Sequence, residues 1–303
     1  MKVRIGVGHV PVGAHDPAAG LAELADELEA HRVDSVWLSD LASAPHTVDP
    51  LIGLAYIAGR TRRLKLGTGV LILPGRDPAV VAMQLAGLAA LAPGRVLPTF
   101  GIRPAQPADR PAYAVPPGRH AEVFEEALTV VRALLSRPNV THHGEFFHLD
   151  EVSIAPLPAK PLDLWLSGRL PAALDRVGRL ADGWLGSNIT SGEAEACRVR
   201  IERAAADAGR EIEPDHYGTY LTVVLDDADE RAVGALLDGI RRRRPDGADP
   251  RTLVCRGWAA AREEMRRFVD AGLTKFVVRP AAPVTSRRDF LDQFVAELGP
   301  MET

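Results

Sequence analysis

The sequence predicts an α/β protein built as a (β/α)8 TIM barrel, and three observations carry that reading. Short apolar runs alternate with amphipathic stretches along the whole chain, about eight times, which is the pattern of a parallel barrel. A capping aspartate precedes a proline at three helix starts, Asp16-Pro17, Asp49-Pro50 and Asp77-Pro78, and proline is well placed at the first helical position. The length, 303 residues, suits one such barrel. Residues 1–303 are therefore read as a single barrel domain, with insertions at about 102–118, 138–161 and 226–256.

The elements follow in order. Val3–His9 is a nearly continuous apolar run and reads as the first strand. Pro17–His31 carries Leu21, Leu24 and Leu28 at helical spacing, so it reads as a helix. Asp34–Ser39 is the second strand, and Pro50–Arg60 is the helix after the Asp49 cap. Leu64–Leu73 is the third strand and holds Gly67 and Gly69 at its centre. Glycine inside a strand marks a bulge or a close approach by a ligand or another backbone. Pro78–Leu91 is a helix, Val96–Gly101 the fourth strand and Arg119–Leu135 a long helix. Leu162–Leu166, Gly183–Gly186, Tyr217–Leu225 and Lys275–Val278 complete the strands. They alternate with helices over Pro171–Leu180, Glu193–Ala208, Ala259–Asp270 and Ser286–Glu297. Thr190 and Glu193 have capping-box spacing. Two stretches exceed a minimal barrel: Val140–Pro161 reads as a small hairpin, and Asp226–Pro250 as an extra helix and loop. The run Arg241–Arg244 is either a solvated helix end or a site for an anionic partner, and the first is the simpler reading.

Composition narrows the function. With 46% apolar and 25% charged residues, the chain is an ordinary soluble globular protein. A net charge of -4 leaves no basic footprint for nucleic acid. No apolar run reaches membrane-spanning length, and a strand from Val3 argues against a cleaved signal peptide. Cys197 and Cys255 lie far apart in the chain, which points to free thiols in a reducing cytoplasm. The histidines are scattered, so no metal site is expected. Lys65 and Lys275 stand at the amino ends of their strands, which argues against a Schiff-base enzyme. No G-x-S-x-G elbow or Walker-type loop occurs.

Barrel enzymes work at the carboxyl ends of their strands. There the sequence places His9, Ser39-Asp40, Thr68-Gly69, Gly101-Ile102-Arg103, Ser167-Gly168-Arg169, Ser187-Asn188 and Arg279. These are small or hydrogen-bonding residues with few acids or bases. Such a rim is either the ordinary polarity of barrel loops or the seat of a large polar cofactor that performs the chemistry itself. Taken as a set, it favours the cofactor. In Ser167-Gly-Arg-Leu-Pro171, Gly168 permits close approach, Pro171 opens a helix with free N–H groups, and Arg169 offers a bidentate contact, all of which suit a phosphate. The loop from Arg103 to Pro117 is rich in proline and alanine. It is read as bordering the substrate pocket and as pointing to a neutral or apolar substrate.

An ordered set of motifs resembles the bacterial luciferase-like flavin and deazaflavin oxidoreductases, and within them the branch using coenzyme F420. The set comprises Asp34-Ser-Val-Trp-Leu-Ser-Asp40, Asp49-Pro-Leu, Arg63-Leu-Lys-Leu-Gly-Thr-Gly-Val-Leu-Ile-Leu-Pro74 and Gln84-Leu-Ala-Gly-Leu. It continues with Gly94-Arg-Val, Gly144-Glu-Phe-Phe, Leu164-Trp-Leu-Ser-Gly168 and Leu180-Ala-Asp-Gly-Trp184. The resemblance implies a barrel with insertions, usually homodimeric, with an isoalloxazine-type ring at the carboxyl end of the strands. It implies a non-proline cis peptide at Gly69–Val70 behind the ring, with Thr68 leading into it and Gly67 a packing position one layer below. Ser39 and Asp40 would lie beside the ring and Gly101, Ile102 and Arg103 along the cofactor. Ser167, Gly168 and Arg169 would lie near the ring or its phosphate tail. Ser187 and Asn188, with His9 and Arg279, would border the substrate.

The implied activity is hydride transfer between C5 of F420 and a small organic substrate. The alternatives are an FMN-dependent luciferase-like monooxygenase and a flavin- or deazaflavin-binding barrel without catalysis. Two departures bear on the proton donor. Leu41 stands where many relatives have a histidine, and Thr99-Phe-Gly-Ile-Arg103 leads into Pro104 where relatives often have an acid. Asp40 is the remaining nearby acid. It is either the general acid, with a pKa raised by burial, or the anchor that orients its loop.

Overall fold

The structure, a computed structural model, describes residues 2–8, 10, 17–42 and 47–303. His9 and the Asp16 cap lie outside the described residues. The chain runs β1 (Arg4–Gly8), α1 (Pro17–Ala30), β2 (Ser35–Leu38), α2 (Pro50–Arg60), β3 (Lys65–Thr68), β4 (Leu71–Ile72), α3 (Pro78–Leu91), β5 (Val96–Leu97), β6 (Thr99–Gly101) and α4 (His120–Ser136). A hairpin of β7 (Val140–His143) and β8 (His148–Val152) comes next, followed by β9 (Trp165–Ser167), α5 (Pro171–Leu180), β10 (Gly183–Gly186), α6 (Ser191–Asp207) and β11 (Tyr217–Val224). The last part is α7 (Glu230–Arg243), β12 (Cys255–Arg256), α8 (Gly257–Asp270), β13 (Lys275–Pro280) and α9 (Arg287–Leu298).

Apart from the hairpin, the strands form one curled, parallel sheet. β1 pairs with β13 and β2, β2 with β3, β3 with β5, and β4 with β6. β6 pairs with β9, β9 with β10, β10 with β11, and β11 with β12 and β13. Two expected strands are interrupted. Leu64–Leu73 breaks at Gly69–Val70, and Val96–Gly101 breaks at Pro98, whose nitrogen cannot donate to a ladder. The strand expected from Leu162 begins at Trp165, because the Leu164 amide donates to the Asp182 carboxylate at 2.8 Å. Among the described residues no helix is long and apolar enough to cross a membrane.

The helix starts behave as the sequence predicts. Asp49 accepts from the amides of Leu51 and Ile52, and Asp77 from those of Ala79 and Val80. Thr190 and Glu193 form the capping box. The hairpin is fastened to α4 by Glu126, whose carboxylate accepts from the amides of Glu145, Phe146 and Phe147. The insertion after β6 contains a 3-10 helix over Pro107–Tyr113.

Alternate strand residues face opposite sides of the sheet. The outward set packs under the helices: Val36, Leu38, Leu66, Leu166, Leu221, Phe276 and Val278 belong to the main core. The inward set forms a separate cluster of Trp37, Trp165, Leu185 and Val277, with Leu97 and Tyr220 against it. Register aligns these layers, with Ser35 opposite Lys65, Trp37 opposite Gly67, and Tyr220 opposite Val277. Trp37 fills the space that Gly67 leaves, since a Cβ there would fall 2.4 Å from the indole ring.

Below the aromatic layer sits a compensated ion cluster. Asp34, just before β2, accepts from Lys65 Nζ at 2.9 Å and Lys275 Nζ at 2.6 Å, with Arg4 Nε at 3.8 Å. Burial pushes the Asp34 carboxyl pKa up, but the charges and hydrogen bonds of Lys275 and Lys65 outweigh it and hold the pKa at about 2. This explains why both strand-initial lysines exist without chemistry to do.

Removing one partner of a buried ion cluster leaves the others uncompensated, so Asp34→Asn should lower unfolding free energy by about 3 kcal/mol at neutral pH. Because the folded pKa is depressed, this stabilisation is present above the unfolded value of about 4. It fades as pH falls from there towards about 2. Urea unfolding of both proteins across that window checks the prediction. A gap that does not narrow on acidification would remove Asp34 ionisation as its source.

Candidate active site

The site grows from the break in the third strand. The Gly69–Val70 peptide is cis, as the resemblance implied. The Gly69 carbonyl accepts two hydroxyls, Ser39 Oγ at 2.6 Å and Tyr220 Oη at 2.5 Å. The Gly69 amide donates to Leu38 O at 2.7 Å, and the Asp40 amide to Val70 O at 3.1 Å. The end of β2 is thereby laced to the break. Tyr220 comes from the middle of β11, on the far side of the interior. Burial pushes its phenol pKa up to about 12, so the hydroxyl stays a donor. A Cβ at Gly69 would lie 1.9 Å from that hydroxyl, so glycine is required by the contact.

Asp40 organises the adjoining loops. Its side chain is 4% exposed. One oxygen accepts from the Tyr113 hydroxyl. The other accepts from the Ile72 amide at 3.1 Å and Arg76 Nη2 at 2.9 Å. Arg76 also reaches the α2 cap Asp49 at 3.1 Å and donates from Nε to Ile72 O at 3.1 Å. Its guanidinium lies 5.6 Å from the Tyr113 ring centroid, a cation–π distance. Burial, then the Asp40 hydrogen bond and charge, push the Tyr113 phenol pKa far above its ordinary value. Asp40 therefore joins β2, β4, α2 and the 107–113 insertion, and both its oxygens are occupied as acceptors.

Above these contacts opens a cleft of about 410 Å³. It gathers Ser39, Asp40, Gly69, Val70, Gly101, Ile102, Arg103, Ser167, Gly168, Ser187, Asn188 and Arg279 from the carboxyl ends of the strands. Three expected residues are not among these lining residues. Thr68 is buried beneath, its hydroxyl donating to Thr99 O and accepting from Thr99 N, both at 2.8 Å. Arg169 turns away, donating to Arg243 O at 3.0 Å and pairing with Asp246 at 3.5 Å. His9 is outside the described residues.

The sequence reading did not name Ile72, Tyr220 or Leu236, all of which line the cleft, and it reached Gln106 only through the 103–117 loop and Arg243 only through the arginine run. Tyr220 stands inside a strand, below the strand ends where candidates were sought, and only the inward alternation could have marked it. Arg243 belongs to the arginine run. That run is not a solvated helix end throughout. Arg241 pairs with Asp238, while Arg244, 3% exposed, pairs with Glu193 at 2.7 Å and Asp246 at 2.9 Å. A second, more apolar pocket of about 200 Å³ adjoins the cleft, sharing Ser39, Leu41, Tyr220, Leu236 and Arg279 with it.

The lining suits a ring cofactor. Its volume falls in the range of small-molecule sites. The backbone of Gly69–Val70, Gly101 and Gly168 offers side-chain-poor surface, and the hydroxyls of Ser39, Ser167 and Ser187 and the Asn188 amide supply polar contacts. Asp40 is the one carboxylate among the lining residues, and Arg76 already pairs with it.

Residues 2–295 match the luciferase-like monooxygenase family. The chain is 27% identical to an F420-dependent glucose-6-phosphate dehydrogenase of Kineococcus radiotolerans, covering 93% of this chain and 92% of that protein. Among solved structures, an F420-dependent secondary alcohol dehydrogenase bound to an F420–acetone adduct superposes with a TM-score of 0.83 at 20% identity, over 100% of both chains. The oxygenating constituent of 3,6-diketocamphane monooxygenase from Pseudomonas putida, in complex with FMN, superposes with a TM-score of 0.77 at 16% identity, over 100% of this chain and 99% of that one. At these identities the two structures establish the shared fold.

The contact between Gly69 and Tyr220 makes a specific prediction. Gly69→Ala should cost about 1–3 kcal/mol in urea unfolding, as overpacking of a fitted interior does. Adding Tyr220→Phe should recover part of that loss by removing the clashing oxygen. If the double variant is no more stable than Gly69→Ala, the hydroxyl is not what excludes the methyl group.

Proposed function

Because the chain belongs to the luciferase-like monooxygenase family, we propose that it is an F420-dependent oxidoreductase whose active site is the cleft above Gly69–Val70. The observation that carries this reading is the cleft itself, which has glycine-rich backbone surface, polar hydroxyls at its rim, and no unpaired acid among the described lining residues. Such a site binds and orients a reactive ring while contributing little acid–base chemistry of its own. The full-length similarity to an F420-dependent glucose-6-phosphate dehydrogenase supports the deazaflavin over FMN. We read the whole chain as one (β/α)8 barrel domain. In support, β4 continues β3 and β5 leads into β6, so both ends of the pairing path belong to neighbouring interrupted strands.

When bound, F420 supplies hydride transfer at its C5 carbon. The chain supplies position. Ser39 and Tyr220 hold the Gly69 carbonyl, which keeps the backbone under the ring in one place. Gly101 to Arg103 and Ser167-Gly168 line the cofactor, and Ser187, Asn188 and Arg279 border the organic substrate. Asp40 is a positioning residue in this account, because Tyr113, Ile72 and Arg76 already occupy its oxygens. The FMN alternative rests on the likeness to the FMN-bound oxygenase.

We also infer a homodimer through α2 and α3. These packed helices expose Ile52 (64%), Val80 (45%), Met83 (54%) and Leu91 (69%), a set of apolar side chains suited to cover by a second copy. A reducing cytoplasm accords with the free, buried Cys197 and Cys255.

Fluorescence titration with F420 and FMN tests the assignment. F420 should bind, Asp40→Asn should weaken it by about tenfold through a loosened loop, and turnover should not depend on oxygen. Tight FMN binding without F420 binding sinks the proposal. In sedimentation, the wild type should run at twice 32.6 kDa, and Met83→Arg should shift it towards the monomer. A monomeric wild type refutes the α2/α3 interface.

A further inference from the structure

The cleft carries positive charge that no described residue neutralises. Arg243, from the end of α7, and Arg279, from β13, both line it. Neither makes an ion pair with a described carboxylate. Arg279 is held by Nε donating to Thr222 Oγ1 at 3.1 Å, and its guanidinium lies 5.0 Å from the Tyr220 ring centroid. Arg243 is presented by its neighbours. Arg244 is anchored by Glu193, Asp246 and the Asn188 carbonyl, the last at 2.7 Å. Arg169 pins the Arg243 carbonyl at 3.0 Å. Arg241 is engaged by Asp238 and Arg242 faces solvent. The turn is thus fastened so that one arginine of the run points into the cleft.

With Arg103, which meets His120 at 3.2 Å and which the F420 reading gives to the cofactor, the cleft holds three arginines without an ion pair to a described carboxylate, and like charges in a partly buried cleft are unfavourable unless a partner completes it. Burial lowers the pKa of both guanidinium groups, and the charges of Arg279 and Arg242 lower that of Arg243 further. Arg279 and Leu236 also border the adjoining apolar pocket.

We propose that Arg243 and Arg279 form an oxyanion-binding subsite for the organic substrate, which is an anion bearing a phosphate or carboxylate. The subsite rests on the reading of the cleft as an F420 site, with the arginines serving the substrate and not the cofactor tail. It replaces the neutral or apolar substrate that the 103–117 loop alone suggests. Fork-shaped guanidinium groups match the geometry of both oxyanions, and the apolar pocket beside Arg279 would take the body of such a molecule.

Calorimetric titration of inorganic phosphate and, separately, acetate tests this on the intact protein, with and without saturating F420. Saturable binding of at least one anion is expected in both states, and the stronger of the two identifies the substrate's charged group. Arg243→Gln and Arg279→Gln should each weaken it by about tenfold. Arg242→Gln, on the solvent side of the same helix, should leave it unchanged. F420 affinity should stay within about twofold in all three variants. No saturable anion binding by the wild type overturns the subsite. An Arg242→Gln loss equal to that of Arg243→Gln also overturns it, by reducing it to general charge. A parallel loss of F420 affinity in Arg243→Gln and Arg279→Gln would reassign both arginines to the cofactor and overturn it as well. F420 failing to bind while phosphate or acetate does would instead sink the cofactor reading alone.

Discussion

In a curled parallel sheet every second strand residue points inward, and the space there is small. The chain fills that space in three layers, and the rest of the molecule depends on how they are stacked. At the amino end a buried aspartate balances two lysines and an arginine. Above it Trp37, Trp165, Leu185 and Val277 form an apolar plug, with Gly67 giving up its side chain to admit Trp37. Above the plug the inward positions become Gly69, Ser167 and Arg279, with the Tyr220 hydroxyl reaching up from the plug layer, and the interior opens into the cleft. Below the plug the charges pair with one another; above it Asp40 pairs with Arg76, while Arg243 and Arg279 have no ion pair with a described carboxylate. The apolar layer keeps the two environments separate, so the lower charges stabilise the structure, and the two arginines above are the ones the proposed oxyanion subsite uses.

Much of the fold was legible because local signals agreed with one another. Asp-Pro helix starts, the Thr190–Glu193 box and runs of β-branched residues all act over a few residues, and most element boundaries landed within about two positions. The misses were non-local. Pro98 breaks a strand that otherwise has a continuous apolar pattern. The delayed start of β9 depends on Asp182, distant in sequence. The strand-end rim was legible too, since barrel topology names it in advance, and eleven of its expected residues line one cleft. Tyr220 escaped because its hydroxyl reaches the site from within a strand, and Arg243 was not told apart from its run because a charge run normally faces water. Arg169 had the residue type and spacing of a phosphate ligand. Whether such an arginine meets a ligand or a neighbouring turn is decided by tertiary packing.

Asp40 shows how the same residue can satisfy two sequence readings until its partners are known. Its place beside the cleft leaves both an acid and an anchor open. Its neighbours supply an arginine, a phenol and a backbone amide, all donors. A carboxylate surrounded by donors serves as an acceptor, and here it ties the 107–113 insertion to the loops after β2 and β4. The departures at Leu41 and Pro104 fit that division, in which the chain supplies geometry and the reactive ring supplies chemistry.

The turn at Arg243–Asp246 touches the barrel through few bonds, from Arg169, the Asn188 carbonyl and Glu193. All of them meet the segment at one end, and none passes through the sheet. The insertion of α7 and its following turn therefore sits on the barrel as a cartridge, clipped by these bonds to two strand-end loops and packed through Val233 against Val224 and Ala282. Relatives sharing this barrel could exchange such a cartridge, length and charge included, and present a different surface to the same cleft. Diversification of the molecules a protein accepts would then need no rearrangement of the layers that hold it together.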